Sequence, residues 1–374
     1  MKIALVHDQL AEFGGAERVL MSLKTAFPDA PLYTSFVDQE RLGKHRKHFE
    51  TWEIHTSWIG RLPFFRKLYS PLRFLLPFIW SSFDLSGYDV VICSSSWGMC
   101  KGVALQKTRS PSNHHAKYVC YLHTPPRYLY GYDESTLTRY WPVKIYALVV
   151  NHFLRQYDYL SSQAVDSFVF NASEIRARSL KFYHRDGIIV HPPIKTLSTS
   201  SDGVNTSSEP YYLTVSRLAP TKHIDILIHA ANRRKLRLIV VGTGNQEREL
   251  RAIAGDTITF MGSVDERTLA TLYKGATAFL YASMHEDFGM VPVEAMAYEI
   301  PVIAHASGGV LETVGSDGRG ILYHSMNPAA VLHAVDELSQ MTAESRSIMI
   351  KKAKSFADSC DEDAFVERMR AVCA

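Results

Sequence analysis

Nowhere does this 374-residue chain carry an apolar run long enough to cross a bilayer as a helix, which takes about 20 consecutive residues. Its start, MKIALVHD, has neither the basic segment nor the long apolar core of a signal peptide, so a cytoplasmic location is expected. Cysteine is scarce. The five residues include no CxxC pair, and their odd number fits free thiols in a reducing compartment better than a disulfide framework or a zinc site. Short-period repeats and heptad runs are missing as well. No GxGxxG turn follows the first strand-like stretch, which argues against a dinucleotide-dependent oxidoreductase. The D-x-D pattern that holds Mg²⁺ or Mn²⁺ on phosphates at strand ends occurs only as Asp361-Glu362-Asp363, where it reads as a helix N-cap with first-turn acids. No metal, no other cofactor and no nucleic-acid partner is therefore expected.

What is present is ordinary for a soluble globular protein: 46% hydrophobic and 21% charged residues, over a length that suits two domains, each with a core. The net charge of +3 hides an asymmetry, since residues 1–190 hold 23 Lys and Arg against 16 Asp and Glu (+7), leaving 18 against 22 (−4). Short apolar runs ended by Gly, Pro or polar residues alternate with stretches of helical period, the pattern of βαβ units and parallel sheets. Strands are predicted at 2–7, 89–95, 117–123, 167–172 and 187–193, then in a second series at 211–217, 236–242, 257–262, 277–283 and 301–305. Between the series lies TLSTSSDGVNTSSEP (196–210), too polar to bury a core. The expected architecture is α/β, with domains over 1–195 and 208–360 and a linker at 196–207.

One segment stands apart. WIGRLPFFRKLYSPLRFLLPFIW (58–80) carries Arg61, Arg66, Lys67, Arg73 and seven aromatic residues without one acid. Such a mixture suits a surface that meets anionic headgroups or a lipid acceptor. The competing reading is a pair of helices packed inside the first domain, with prolines at their ends.

Four stretches carry the chemistry. In HEDFGMVPVEAMAYEIPVIAHASGGVLETV (285–314) a strand ends in a loop, and a helix is predicted to start near Pro292, since proline suits the first helical turn. That places Glu286 in the loop and Glu294 in the first turn, with Gly289 letting the backbone come close to a ligand. Ser307, Gly308 and Gly309 precede a further helix start near Val310. In VSRLAPTKHIDILIHA (215–230), Arg217 and Lys222 follow the first strand of the second series, where fixed cations could face a phosphate. In EFGGAERVL (12–20), Gly14 and Gly15 precede a helix starting near Ala16, a turn that offers free N–H groups to an anion. In YLHTPPRYLY (121–130), His123 ends a strand, where ligands of α/β sheets bind, and Pro125 and Pro126 turn the chain away from helix.

Glu286 and Glu294, eight positions apart beside Phe288 and Gly289, together with the S-R-x-x-x-x-K segment ending in Lys222, resemble the signature of the family 4 retaining glycosyltransferases. The resemblance covers nearly the whole chain and is strongest over 211–314. It implies the GT-B fold, two Rossmann-like domains facing a cleft, with a last helix at about 361–374 packing back on the first. It implies that Arg217 and Lys222 bind the donor pyrophosphate, that Glu286 bonds sugar hydroxyls, and that Glu294 takes the nucleotide ribose. Phe288, Met290 and Val291 would complete that donor site. The glycine turn at Gly14 and Gly15 would lie against the donor phosphates, and His123 would contact the transferred sugar. VGTGNQE, with Gly242, and FMGSV, with Met261, Gly262 and Val264, resemble the segments that border the nucleotide. Arg127 and Tyr128 complete an HTPxRY form similar to that of bacterial O-antigen and exopolysaccharide mannosyltransferases. The resemblance thus implies a hexosyltransferase that takes a nucleotide-diphosphate sugar, GDP-mannose ahead of a UDP-hexose. The acceptor would be a glycan or lipid-linked oligosaccharide at the inner face of the membrane. A GT-B sugar-nucleotide epimerase and a non-catalytic sugar-nucleotide binder remain the alternatives.

Overall fold

The segment VVICSS, Val90–Ser95, is buried at every position, as a central strand of a parallel sheet with both faces covered must be. In the computed structural model it is the fourth of seven strands. The structure describes residues 1–61, 68–108, 116–132, 140–195, 209–315 and 317–374, so the expected linker at 196–207 lies wholly outside the described residues. Among them the first sheet comprises β1 (Ile3–His7), β2 (Leu32–Thr34), β3 (Ile54–Thr56), β4 (Val90–Ser95), β5 (Lys117–Leu122), β6 (Ser167–Phe170) and β7 (Ile188–Ile189). Its order is β3-β2-β1-β4-β5-β6-β7, with every neighbouring pair parallel.

The second sheet holds β8 (Tyr212–Val215), β9 (Leu238–Val241), β10 (Ile258–Gly262), β11 (Ala278–Tyr281), β12 (Val302–His305) and β13 (Ile321–Tyr323). These are ordered β10-β9-β8-β11-β12-β13, again parallel throughout. Each order reverses beside its first strand, between β1 and β4 and between β8 and β11. At such a switch point the flanking connections leave in opposite directions, which opens a crevice beyond the carboxyl ends of the strands.

Two compact units result, one of Met1–Pro193 with Asp363–Ala374 and one of Ile194–Glu362. The C-terminal helix Glu362–Cys373 belongs with the first, where Phe365, Met369 and Cys373 share a core with Val19, Leu20 and Leu23 of the helix Gly15–Ala26. The opposite face of that sheet is covered by the helix Leu76–Ser81, the helical turns of Cys100–Thr108 and the long helix Trp141–Ala164. In the second unit the helices Ile224–Arg234 and Pro328–Gln340 pack on one face of the sheet.

The ten predicted strands all occur, trimmed at their ends, and β2, β3 and β13 add to them. The segment 58–80 is neither wholly core nor wholly surface. It opens with a 3₁₀ turn, Trp58–Arg61, and closes with the helix Leu76–Ser81, which buries Leu76, Ile79 and Trp80 and leaves Phe78 exposed. Arg66, Lys67 and the Arg61 side chain lie outside the described residues. All five cysteines are buried and none forms a disulfide.

Candidate functional site

In the second unit, chemistry gathers where β8 and β11 end, at the switch point of the sheet. The chain leaves β8 through an exposed Arg217 and makes a 3₁₀ turn, Pro220–Lys222. Beside it the chain leaves β11 into the loop that holds Glu286, and the Met284 amide donates to the Thr221 carbonyl at 3.2 Å. Three side chains then close on one another: Lys222 Nζ donates to Glu286 Oε2 at 2.6 Å and to Ser283 Oγ at 3.2 Å, and Ser283 Oγ donates to Glu286 Oε2 at 2.6 Å. With side chains only 16% and 19% exposed, the lysine and glutamate are shielded enough for their attraction to exceed that of a surface pair.

The loop of Glu286 is held from below by backbone. The Gly309 amide donates to the Glu286 carbonyl at 2.7 Å, and Ser307 Oγ accepts from the His285 amide at 3.0 Å. Gly308 stands at φ +61°, and a Cβ there would lie 2.3 Å from the Glu286 carbonyl oxygen, so no other residue fits without moving the loop. Gly242, which follows β9, has φ +123°, and a Cβ there would lie 1.9 Å from the Ser216 carbonyl oxygen, at the mouth of the Arg217 loop. Its amide donates to the Gly262 carbonyl at 2.8 Å, which brings the ends of β9 and β10 together near the exposed Met261 and half-buried Val264.

Gly289 caps the helix Met290–Ala297, which starts two residues before Pro292. Glu294 therefore sits in the second turn rather than the first, where the helix dipole has little hold on it. It is only 6% exposed and accepts a long hydrogen bond, 3.4 Å, from Tyr273 Oη. A carboxylate kept this far from water beyond the first turn is not a solvated charge. Phe288, 2% exposed, anchors the loop, and Met290 and Val291 open the helix half-buried.

In the first unit the matching place is the carboxyl end of β1 and β4. The register sets His7 opposite Ser94, and from there a chain of polar contacts runs both ways. His7 Nδ1 meets Ser94 Oγ at 3.0 Å, and Ser94 Oγ meets His123 Nε2 at 2.8 Å. On the other side His7 Nε2 lies 3.5 Å from Glu17 Oε1, while Glu17 Oε2 accepts from the Gly14 amide at 2.8 Å. The exposed glycines Gly14 and Gly15, at the start of the helix Gly15–Ala26, are thus tied to His123 through three side chains. Burial, and then the neighbouring His7, push the His123 pKa down to about 3 against a weaker opposite pull from Asp8. The imidazole is neutral near pH 7.

Asp8, just past β1, is 1% exposed and fully engaged. It accepts from the amides of Ser96, Gly98 and Cys100 at 2.7, 2.9 and 2.8 Å and from Ser96 Oγ at 2.9 Å. Neither Asp8, His7, Ser94, Glu17 nor Ser283 stands out in the sequence; only the strand register and loop closure bring them to these sites. Arg127 and Tyr128 open a short helix, Arg127–Tyr130, just beyond His123. Arg73, expected at the surface, is half-buried with its guanidinium 4.9 Å from the Tyr128 ring and 5.3 Å from the Tyr146 ring. Aromatic faces hold it by cation–π attraction.

Two parallel sheets with the same reversed strand order, each with its polar side chains gathered at the switch point, define a GT-B protein. Solved structures of that fold align along the full length. The structure of Anabaena Alr3699/HepE in complex with UDP and glucose matches with a TM-score of 0.72 at 18% identity, covering 100% of this chain and 99% of that one. Sucrose-phosphate synthase from Thermosynechococcus elongatus matches with a TM-score of 0.70 at 18% identity, covering 100% and 98%.

The model of the family described as Glycosyl transferases group 1 matches residues 200–356. A GDP-mannose-dependent alpha-mannosyltransferase of Mycolicibacterium smegmatis is 33% identical over 153 residues, covering 40% of this chain and 40% of that protein. Alpha-1,3/1,6-mannosyltransferase ALG2 of Kluyveromyces lactis is 25% identical over 378 residues, covering 84% and 71%. The chain spans about 40% of the length of the mycolicibacterial relative that it matches.

Proposed function

We propose that this protein is a metal-independent, retaining hexosyltransferase that moves mannose from GDP-mannose to a glycan or lipid-linked oligosaccharide. The observation that carries the reading is the closure of Lys222, Ser283 and Glu286 at the β8/β11 switch point. It sets a cation and a carboxylate side by side, as a sugar diphosphate requires. Lys222 and Arg217 meet the diphosphate, whose charge grows as the bond to the sugar breaks, so they stabilise the transition state more than the ground state. Glu286 accepts hydrogen bonds from the sugar hydroxyls, and the buried Glu294 accepts them from the ribose diol. His123, neutral, bonds a sugar hydroxyl without adding charge. Bond changes balance within the two substrates: the C1–O bond to the phosphate breaks with its electron pair going to the diphosphate, and the acceptor oxygen attacks the same face of C1. The acceptor's proton then passes to the departing phosphate oxygen.

Mannose is favoured by the names of two relatives, a GDP-mannose-dependent alpha-mannosyltransferase and a mannosyltransferase ALG2. A UDP-hexose is the second reading, favoured by the UDP and glucose bound in the structure of similar fold. The setting we propose is bacterial surface polysaccharide synthesis such as O-antigen, carried out in the cytoplasm with peripheral contact to an anionic membrane. The test is transfer of labelled sugar from a panel of nucleotide sugars to membrane extract, with and without chelator. Transfer from GDP-mannose that survives chelation and collapses in Glu294→Ala and Lys222→Ala is expected. Dependence on added Mn²⁺, or turnover of the donor without an acceptor, would sink the proposal.

A further inference from the structure

The helix Trp141–Ala164 turns an apolar stripe to the outside as well as to the core. A helix on the surface of a globular protein turns its apolar stripe to the core and its polar side to water. Here the inward side carries Asp158, Ser161 and Ser162, all fully buried, among Leu154 and the partly buried Val150, Tyr157 and Ala164. Asp158 pairs with the buried Lys101 and accepts from Tyr130 Oη at 2.8 Å and Tyr183 Oη at 2.7 Å. That network pins the helix at its C-terminal half. Its outward side shows Trp141, Ile145, Leu148, Val149, Phe153 and Leu160, each between 52% and 73% exposed. Steps of three, four and seven residues put these side chains on one face, along a helix of 24 residues, or about 36 Å.

The stripe has a neighbour of the same character. Tyr146 Oη bonds the Pro71 carbonyl, and the Arg73 guanidinium lies over the Tyr146 ring, so the stretch Leu68–Ser81 docks on this helix. It too displays apolar side chains, Leu68, Phe74 and Phe78, at 47%, 43% and 62% exposure. Charge tells what could cover such a surface. The described basic side chains of 58–83 and 140–157 are Arg73, Lys144 and Arg155, and neither stretch has an Asp or Glu. Lys144 and Arg155 stand exposed among the apolar residues. A second copy of the chain would set these cations against one another, whereas anionic headgroups complement them. None of the helices among the described residues is long and apolar enough to cross a membrane, so this one would lie in the plane of the interface.

We infer that the outward face of Trp141–Leu160, with the Leu68–Phe78 stretch docked on it, is a membrane-docking surface for anionic lipid. It gives a location to the membrane contact proposed above, and its test does not depend on any sugar being transferred. Flotation of the full chain with vesicles of phosphatidylcholine alone, or mixed with phosphatidylglycerol, reads the partition directly. The wild-type chain should bind the anionic vesicles and lose that binding in high salt. The triple variant Ile145→Ser/Leu148→Ser/Phe153→Ser should bind about a hundredfold more weakly, while Ile188→Ser/Ile348→Ser, at exposed apolar positions elsewhere, should bind as wild type. Lys144→Glu, which keeps the apolar stripe, should lose the preference for anionic over neutral vesicles. Unchanged circular dichroism and nucleotide binding would show the triple variant folded. The proposal is overturned if the wild-type chain ignores anionic vesicles, if the folded triple variant binds them undiminished, or if the stripe instead drives self-association without lipid. Should vesicle binding hold while no donor is turned over, the transferase reading alone falls.

Discussion

Lys222 and Glu286 should respond to mutation with opposite signs when nucleotide binding is measured. The ammonium is held by Glu286 Oε2 at 2.6 Å and by Ser283 Oγ at 3.2 Å, so a diphosphate must compete with the carboxylate for it. Lys222→Ala removes one charge-assisted hydrogen bond to phosphate, about 1.5–3 kcal/mol, or roughly ten- to a hundredfold in the Kd of GDP or UDP. Glu286→Gln keeps the shape but lifts both the competing partner and a negative charge near the incoming phosphates. Free nucleoside diphosphate should then bind as well as to wild type or severalfold better, while sugar transfer drops because the hydroxyl acceptor is weakened. Isothermal titration calorimetry with GDP and UDP on the three proteins reads all of this, with transfer assayed in parallel. If both variants weakened binding to the same degree, the ion pair would be a brace for the 283–289 loop and not a phosphate site.

Three further outcomes follow from the geometry. Gly242→Ala should lower thermal stability by several kcal/mol, since its Cβ would lie 1.9 Å from the Ser216 carbonyl at φ +123°; a Tm within a degree or so of wild type would contradict the contact. His123, with its pKa depressed to about 3, stays unprotonated in the fold while the unfolded chain takes up a proton below pH ~6.5. Stability is therefore fully present above that pH and falls by about 1.4 kcal/mol per unit from this group as pH drops toward 3; denaturant melts of His123→Gln should have the flatter acid limb, and parallel limbs would show that the ring is not shielded. Lys101→Met should cost about 3–5 kcal/mol in urea melts by leaving Asp158 buried without its cation, and Lys101→Met/Asp158→Leu should recover much of the loss; no recovery would mean that the tyrosine contacts matter more than the pair.

The long β-branched runs were legible because they are apolar enough to be buried on both faces: Val90–Ser95 and Leu238–Val241 announce central strands by composition alone. The three-residue strands Leu32–Thr34, Ile54–Thr56 and Ile321–Tyr323 carry no such signal, since ladder pairing with a neighbour defines them and that neighbour is distant in sequence. Lys222 and Glu286 could be marked separately from their motifs. Ser283 could not, because a serine at the end of a strand gains meaning only when the Lys222 loop folds over it. The same holds for His7 and Ser94, 87 positions apart and adjacent only through the β1/β4 register. The long helix shows the converse limit. Its period is visible in Trp141–Ala164, but period does not say which face is inward, and the usual assumption would have buried Leu148 and exposed Asp158.

The central claim is that a hexose leaves a nucleoside diphosphate and joins an acceptor with its anomeric configuration kept. Nuclear magnetic resonance of the glycan made from GDP-mannose, whose sugar is α-linked, reads that configuration at the anomeric carbon. The account predicts an α-linked product, formed equally with and without chelator. A β-linked product, or free or epimerised sugar in place of any glycan, would contradict it.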